Sequence, residues 1–341
     1  MSSGETGPVR WGICATGAIT EKFVDGLRLV DDAEVVAVGS RSQESADAFG
    51  ERFDIGRRYG SYEALAADDE VDVVYIASTQ NAHHPNTMLF LNAGRHVLCE
   101  KPFARSAAEL AEMVALATDK KLFLMEAIWS RFLPSYVRLR ELLAAGAIGE
   151  PRMVEADFGF RIPSIDPDHR LFDPERAGGG LLDLGIYPVQ LASMVLGDPD
   201  QVKGVGHIGE TGVDEQVAMV LHHDGGALAV LHASIRTSTS CGARIAGTEG
   251  TITIPAFMHV PQALHLDNSI GTGEEIDLPM EGNGYHYQVL EVHRCLREGR
   301  LQSDLLALDE RLTMMTTLDQ VRADIGLTYP GEASPGKPGG A

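Results

Sequence analysis

The sequence predicts an α/β protein: a doubly wound parallel sheet at the N-terminus, then an α+β domain built on a large open sheet, mixed or antiparallel. Three observations lead there. Strand-like and helix-like segments alternate up to Met125; a glycine-rich turn follows the first strand; beyond Met125 the runs become longer, alternating and β-rich.

Residues 9–15 (VRWGICA) read as the first strand, and 18–29 carry helical apolar spacing. Residues 34–39 (EVVAVG) form a second strand, followed by a helix pattern over 42–53. The buried runs 71–77 (VDVVYIA) and 96–99 (HVLC) flank a helix over 85–93 that Gly94 caps. Ser106 precedes an apolar-periodic helix with Glu109 three residues on, a capping-box pattern. Residues 121–125 (KLFLM) close the series as a strand. In the second part, helices are expected over 136–145, 181–196, 285–297 and 307–325. Strands are expected over 152–160, 202–208, 216–222, 226–234, 251–254 and the EEIDL run. The expected division is a dinucleotide-binding domain at 1–125, a substrate-binding and oligomerisation domain at 126–330, and a disordered Gly/Pro-rich tail at 331–341.

Composition narrows the partners. The 341 residues are 44% hydrophobic and 23% charged, with a net charge of −21. Such a balance argues against nucleic acid or an anionic membrane surface, both of which need Lys/Arg patches. Cys14, Cys99, Cys241 and Cys295 are far apart and in mostly apolar settings, so reduced thiols are expected over disulfides or zinc ligands. The polar start MSSGETGPVR has no signal-peptide core, and no apolar run is read as membrane-spanning. A cytoplasmic protein is the expectation.

The turn Gly12-Ile-Cys-Ala-Thr-Gly17 resembles Gly-x-Gly-x-x-Gly, with Cys14 in place of the middle glycine. A tight βα turn is the plainer alternative; with the surrounding alternation, nucleotide binding leads. The backbone of Gly12, Cys14, Thr16, Gly17, Ala18 and Ile19 is then the candidate pyrophosphate cradle. Strand two ends Gly39-Ser40-Arg41-Ser42, without the acid that holds a ribose 2′-hydroxyl. Arg41 suits a 2′-phosphate instead, with Ser40 and Ser42 as hydrogen-bond donors, so NADP(H) is expected over NAD(H). Ser78, Thr79, Asn81 and His84 lie past the run 71–77, where ligands bind in this architecture. The pairs His83-His84 and His222-His223 are rejected as metal sites, since neighbouring side chains diverge.

Two further stretches carry chemistry. The strand at 96–99 runs into Glu100-Lys101-Pro102, an unusual charged ending. Pro102 restricts the backbone of Lys101, and Glu100 can hold its ammonium or a cofactor group. In Gly178-Gly-Gly-Leu-Leu-Asp183-Leu-Gly-Ile-Tyr187, a helix would put Asp183 and Tyr187 on one face at i and i+4. Taken alone, a satisfied core hydrogen bond is the favoured explanation of that pair.

In order, these pieces resemble the Gfo/Idh/MocA oxidoreductase family, and within it the dimeric dihydrodiol dehydrogenase branch, also called NADP-dependent D-xylose dehydrogenases. RWGI, YGSYE, VLCEKP, LFLMEAIW, LLDLGIY and ETGVDE carry the resemblance from Arg10 to about Pro330. It implies an N-terminal Rossmann domain, a C-terminal sheet that forms a homodimer interface, and a Lys101-Pro102 bond that is often cis. It also implies Lys101 and Tyr187 beside the nicotinamide, where many relatives have His for the tyrosine. Glu126, Trp129, Arg131 and Phe132 are implied to line a substrate pocket, and Phe158 is counted with them; a plain core role is the alternative, more for Phe132 than for Trp129 or Arg131. Arg170 is implied near the ligand, with a surface ion pair as its alternative.

The expected reaction is hydride transfer between NADP(H) and a secondary or anomeric alcohol of a sugar, polyol or trans-diol. Tyr187 is the expected acid/base, Lys101 its charge partner, and Asp183 orients it or binds a substrate hydroxyl. The competing readings are a keto-sugar, imine or biliverdin-like reductase, and a non-catalytic NADP(H) sensor.

Overall fold

Short apolar segments separated by amphipathic helices can bury both faces only in a parallel sheet. A computed structural model of the protein describes residues 7–268 and 273–332. Its first six strands are Val9–Cys14 (β1), Ala33–Gly39 (β2), Arg57–Tyr59 (β3), Val73–Ile76 (β4), His96–Glu100 (β5) and Leu124–Ala127 (β6). They form one parallel sheet in the order β3-β2-β1-β4-β5-β6, whose direction of winding reverses between β1 and β4. Ligand crevices open at that switch point, beyond the carboxyl ends of the strands.

The intervening helices are Ala18–Leu27 (α1), Gln43–Phe53 (α2), Tyr62–Ala66 (α3), His83–Asn92 (α4) and Ala107–Lys120 (α5). Serine hydroxyls start three of them: Ser42, Ser61 and Ser106 accept from the backbone N–H groups of Ser45, Ala64 and Glu109. Gly94, at φ 80, follows α4 as expected of a closing glycine. α4 begins at His83, two residues before the expected start, because Pro85 is tolerated within a first turn. β3 and α3 were not expected; three and five residues are too short to show a period.

The second sheet is mixed, with eight strands in the order β14-β13-β12-β11-β7-β10-β9-β8. They are Pro151–Gly159 (β7), Pro199–Ile208 (β8), Asp214–His223 (β9), Ala227–Ser234 (β10), Ala243–Gly247 (β11), Gly250–Ile254 (β12), Ala263–Asn268 (β13) and Gly273–Asp277 (β14). Only β7 and β10 pair in parallel. β11 and β13 escaped the sequence reading; their five and six residues mix Arg, His and Asp into weak alternation. Helices Pro134–Ala144 (α6), Ile186–Leu196 (α7), His286–Arg297 (α8) and Leu308–Ile325 (α9) complete the chain. One sheet face is packed: α9 fits Val321 against Gly204, where a Cβ would meet Val321 Cγ1 at 2.9 Å. The other face leaves Val205, Val220 and Val230 exposed at 77%, 47% and 42%.

The chain forms two compact units, residues 1–133 with 280–309, and 134–279 with 310–341. The return of 280–309 to the first unit is absent from the linear division above. Side chains far apart in sequence hold it there: Trp11 Nε1 donates to His293 Nε2 at 3.0 Å, and Asn283 Nδ2 donates to the Lys22 carbonyl at 2.7 Å. The Leu124 amide also donates to the Leu301 carbonyl at 3.1 Å.

Three sequence expectations need amendment or fall elsewhere. The segment Pro174–Leu196 is long and apolar enough to cross a membrane by composition, contrary to the reading above. However, 78% of its apolar window is buried, as suits a core helix. Of the tail expected to be disordered, Glu332 is tied to Arg322 and accepts from the Tyr329 amide at 3.0 Å; residues 333–341 lie outside the described residues. The start of the chain bearing on a signal peptide, residues 1–6, also lies outside them.

Candidate active site

In the first unit the candidate residues gather along the carboxyl edge of the parallel sheet. Gly12 is required by packing, since a Cβ there would lie 2.8 Å from Val71 Cγ1. Gly17 instead faces open space, and no side chain caps the start of α1, where Ala18 and Ile19 lie. Backbone N–H groups there remain available to an anion. Cys14 is fully buried, which pushes its thiol pKa up, so it offers the turn only its backbone. Ala15 takes the positive φ of 93 that such a turn demands. Thr16 Oγ1 lies 3.5 Å from Ser40 Oγ, linking the first and second strand ends.

Arg41 is exposed at the end of β2. Ser42 is committed to its helix, accepting from Ser45 N at 3.2 Å and donating to Ser45 Oγ at 2.9 Å. Past β4, Ser78 Oγ accepts from Asn86 Nδ2 at 3.0 Å, and Thr79 is exposed. Asn81 Oδ1 is buried with no hydrogen-bond partner among the described residues. Together with the uncapped α1, that orphan acceptor fits a dinucleotide along this edge. His84, a cofactor candidate from sequence, lies 2.9 Å from Glu112 Oε2. Among the described residues no three His, Cys, Asp or Glu side chains gather as a metal would require.

Lys101 sits on a turn whose backbone is held at three points by buried side chains. Its own N–H donates to Glu100 Oε2 at 3.2 Å. The carbonyl of Pro102 lies 2.7 Å from His83 Nδ1, and the N–H of Phe103 donates to Glu126 Oε1 at 2.9 Å. The Lys101-Pro102 peptide is cis. Glu100 also accepts the Tyr75 hydroxyl at 2.6 Å; burial raises its pKa to about 7, while Tyr75 and the charge of Lys101 oppose the rise. Burial lowers the His83 pKa, so the ring is neutral. Trp129 stacks on Tyr285 with ring centroids 4.5 Å apart, and Arg131 Nη1 donates to the Leu305 carbonyl at 3.2 Å. Trp129, Arg131 and Phe132 are all buried.

In the second unit, Asp183 and Tyr187 do not share a regular helix. Leu181–Gly185 is a π turn that runs into α7, so the expected i, i+4 geometry is replaced by a wider turn. Asp183 accepts two hydrogen bonds from Arg170, at 3.0 and 3.1 Å. Arg170 is also close enough to Tyr187 for the two to interact electrostatically. The Tyr187 ring, 5% exposed, meets Phe158 at 5.4 Å and His259 at 5.4 Å, and those two rings stack at 4.6 Å.

Sequence reading therefore missed His83 and His259 as members of these clusters, and gave Glu126 no role at the lysine turn. For His83 the signal was present, since a histidine pair directly past a buried strand needs buried partners. His259 gave none, because a loop after β12 brings it to Tyr187.

The comparisons with known proteins agree with this architecture. Residues 9–128 match the oxidoreductase family NAD-binding Rossmann fold, and residues 136–253 match the GFO/IDH/MocA C-terminal domain. Trans-1,2-dihydrobenzene-1,2-diol dehydrogenase of Mus musculus is 40% identical over 334 residues, covering 94% of this chain and 98% of its own. The Homo sapiens protein of that name is 39% identical, with the same coverage of 94% and 98%. Among solved structures, an aldose-aldose oxidoreductase from Caulobacter crescentus complexed with glycerol has a TM-score of 0.84 at 24% identity, covering 93% of this chain and 97% of its own. A 3-ketoreductase from Actinomadura kijaniata, in complex with NADP and TDP-benzene, has a TM-score of 0.82 at 25% identity, covering 93% and 98%. With both units matched and relatives alike over nearly their whole length, the chain belongs to the Gfo/Idh/MocA family of oxidoreductases.

Proposed function

We propose that the protein catalyses NADP(H)-dependent hydride transfer at a secondary or anomeric alcohol carbon of a sugar, polyol or trans-diol. The nicotinamide, when bound, accepts or supplies the hydride. Tyr187 takes the hydroxyl proton in oxidation and returns it in reduction. A free phenol titrates near pH ~10, and neighbouring cations favour the phenolate. Lys101 supplies that charge, and Arg170 adds to it, moderated by its pairing with Asp183. Asp183 orients Arg170 and receives substrate hydroxyls.

The observation that carries this reading is the clamp on Lys101, in which Glu100, His83 and Glu126 hold the backbone of its turn. A solvated surface lysine needs no buried carboxylates and imidazole around it. A relative named for a diol, and a solved neighbour named for reduction of a ketone, support chemistry at a CH–OH carbon. Arg41 at the end of β2, with no acid beside it, supports NADP(H). The exposed valines of β8, β9 and β10 support a homodimer through the second sheet. Four free, buried cysteines support a cytoplasmic setting.

The test is turnover by Lys101→Met and Tyr187→Phe, with NADP(H) binding followed by fluorescence. Each variant is expected to lose at least about a hundredfold in kcat with cofactor still bound. Near-normal turnover in both removes them from the mechanism, and binding without turnover of any alcohol by the unaltered protein favours a sensor.

A further inference from the structure

The helix that carries Asp183 and Tyr187 has no side-chain cap of its own. Its first amide is instead satisfied from β9, where Asp214 is wholly buried and its Oδ2 accepts from Leu181 N at 2.6 Å. The preceding glycines are shaped by this contact. A Cβ on Gly179, at φ 116, would lie 2.1 Å from Asp214 Oδ1, and one on Gly178 would lie 2.7 Å from the Arg170 carbonyl. The Tyr329 hydroxyl donates to the Gly178 carbonyl at 2.8 Å. The triple glycine thus lets a buried carboxylate reach the start of the helix two residues ahead of Asp183.

We propose that Asp214 is a positioning residue for the reaction: its carboxylate, by holding the Leu181 amide, sets where the π turn presents Asp183 and Tyr187. This rests on the assignment of Tyr187 as acid/base. The charge state of Asp214 makes the inference testable. Burial raises its pKa to about 7, against the pull of the Leu181, Asp214 and Gly180 amides and the charge of Arg322. Tyr329 is the other titratable group shown beside it, and Tyr329 in turn feels Arg322, Glu332 and Asp183; Glu215, next along β9, pairs with Arg236 at 3.2 Å.

Stability and activity should respond to this group in opposite directions. A carboxyl raised from 3.8 to about 7 stabilises the fold at low pH, and that contribution fades as pH rises through about 7. The grip on Leu181 N–H is strongest when the group is charged, above that pH. A merely structural Asp214 leaves kcat indifferent to its titration, whereas a positioning residue makes kcat fall as the fold becomes more stable.

Unaltered protein, Asp214→Asn, Tyr187→Phe and the double variant are compared from about pH 5.5 to 9 with NADP+ and D-xylose or trans-cyclohexane-1,2-diol. Asp214→Asn is expected to lose about tenfold in kcat, keep its NADP+ affinity within about twofold, and lose the acid limb near neutrality; it should cost little more once Tyr187 is Phe. Asp214→Asn with unaltered kcat and pH profile, beside an inactive Tyr187→Phe, overturns the proposal and leaves the role of Tyr187 intact. An active Tyr187→Phe overturns the assignment of the tyrosine, and the proposal with it. Hydrogen exchange of residues 181–187 in the unaltered protein needs neither turnover nor a folded variant. Corrected for intrinsic rates, protection there should fall between about pH 8 and 6, and constant protection overturns the proposal.

Discussion

His83 Nδ1 lies 2.7 Å from the carbonyl of Pro102, so a buried imidazole holds the peptide that follows Lys101. Its Nε2 lies 3.1 Å from the Ser78 carbonyl, and the neutral ring has one proton for two acceptors. The shorter distance makes Nδ1 the donor. His83→Phe keeps the bulk but leaves a buried carbonyl without its donor, which costs about 1–3 kcal/mol. Urea unfolding should register that loss, and kcat should fall at least about tenfold as Lys101 loosens. His83→Asn, which presents an amide near the Nδ1 position, should restore most of both. Unchanged turnover in His83→Phe would separate this clamp from Lys101 altogether.

The pairing of Trp11 with His293 predicts a pH-dependent stability. Burial lowers the His293 pKa to about 4; the neutral ring accepts from Trp11 Nε1–H at Nε2, and its Nδ1 lies 3.1 Å from Asp32 Oδ1. As pH falls from the ordinary 6.5 towards 4, the unfolded chain takes up a proton that the folded one refuses, so stability is present above that window and lost through it. The loss should be on the order of 2 kcal/mol. Urea unfolding of the protein and of His293→Gln at several pH values checks it. The stability gap between them should be widest near neutrality and should narrow as the solution is acidified.

What could be read from the sequence is what local chemistry decides. Ser106 and Glu109 are three residues apart, and Ser106 Oγ does accept from Glu109 N at 3.3 Å. The Glu109 carboxylate reaches one residue further back than a capping box requires, to Arg105 N at 3.0 Å. Five of the six parallel strands were legible because each is a short apolar run between turn residues; β3, Arg-Arg-Tyr, is not such a run and was missed. Remote causes were not legible. Glycines 178–180 carry no local reason in sequence; the Asp214 carboxylate and the Arg170 carbonyl account for two of the three. The return of α8 depends on Trp11 and His293, whose partnership no local pattern announces. The π turn at Leu181–Gly185 changes the spacing of Asp183 and Tyr187 without changing their order.

Ala15 holds φ 93 in the turn after β1, a conformation that glycine adopts without strain and alanine does not. Ala15→Gly should therefore stabilise the protein, despite the greater freedom it gives the unfolded chain. The expected gain is roughly 0.5–1 kcal/mol, a rise of a few degrees in Tm by calorimetry. NADP+ affinity should not weaken, since the smaller residue only eases backbone approach to a phosphate. A lower Tm would mean that the turn is relaxed by contacts to the Ala15 methyl.

In the proposed function Arg41 is the residue assigned the preference for NADP(H). It stands between Ser40, which is buried, and Ser42, whose hydroxyl is occupied by Ser45, so the guanidinium is the group at this strand end suited to a 2′-phosphate. A charge-assisted hydrogen bond of that kind contributes about 1.5–3 kcal/mol, or roughly 10- to 100-fold in affinity. Arg41→Ala should weaken NADP+ by that factor and leave NAD+ within about threefold. The difference separates a phosphate contact from general damage to the turn, which would weaken both cofactors alike. Tighter binding of NAD+ than NADP+ by the unaltered protein would refute the preference itself, because nothing else at the end of β2 could then be holding the ribose as proposed.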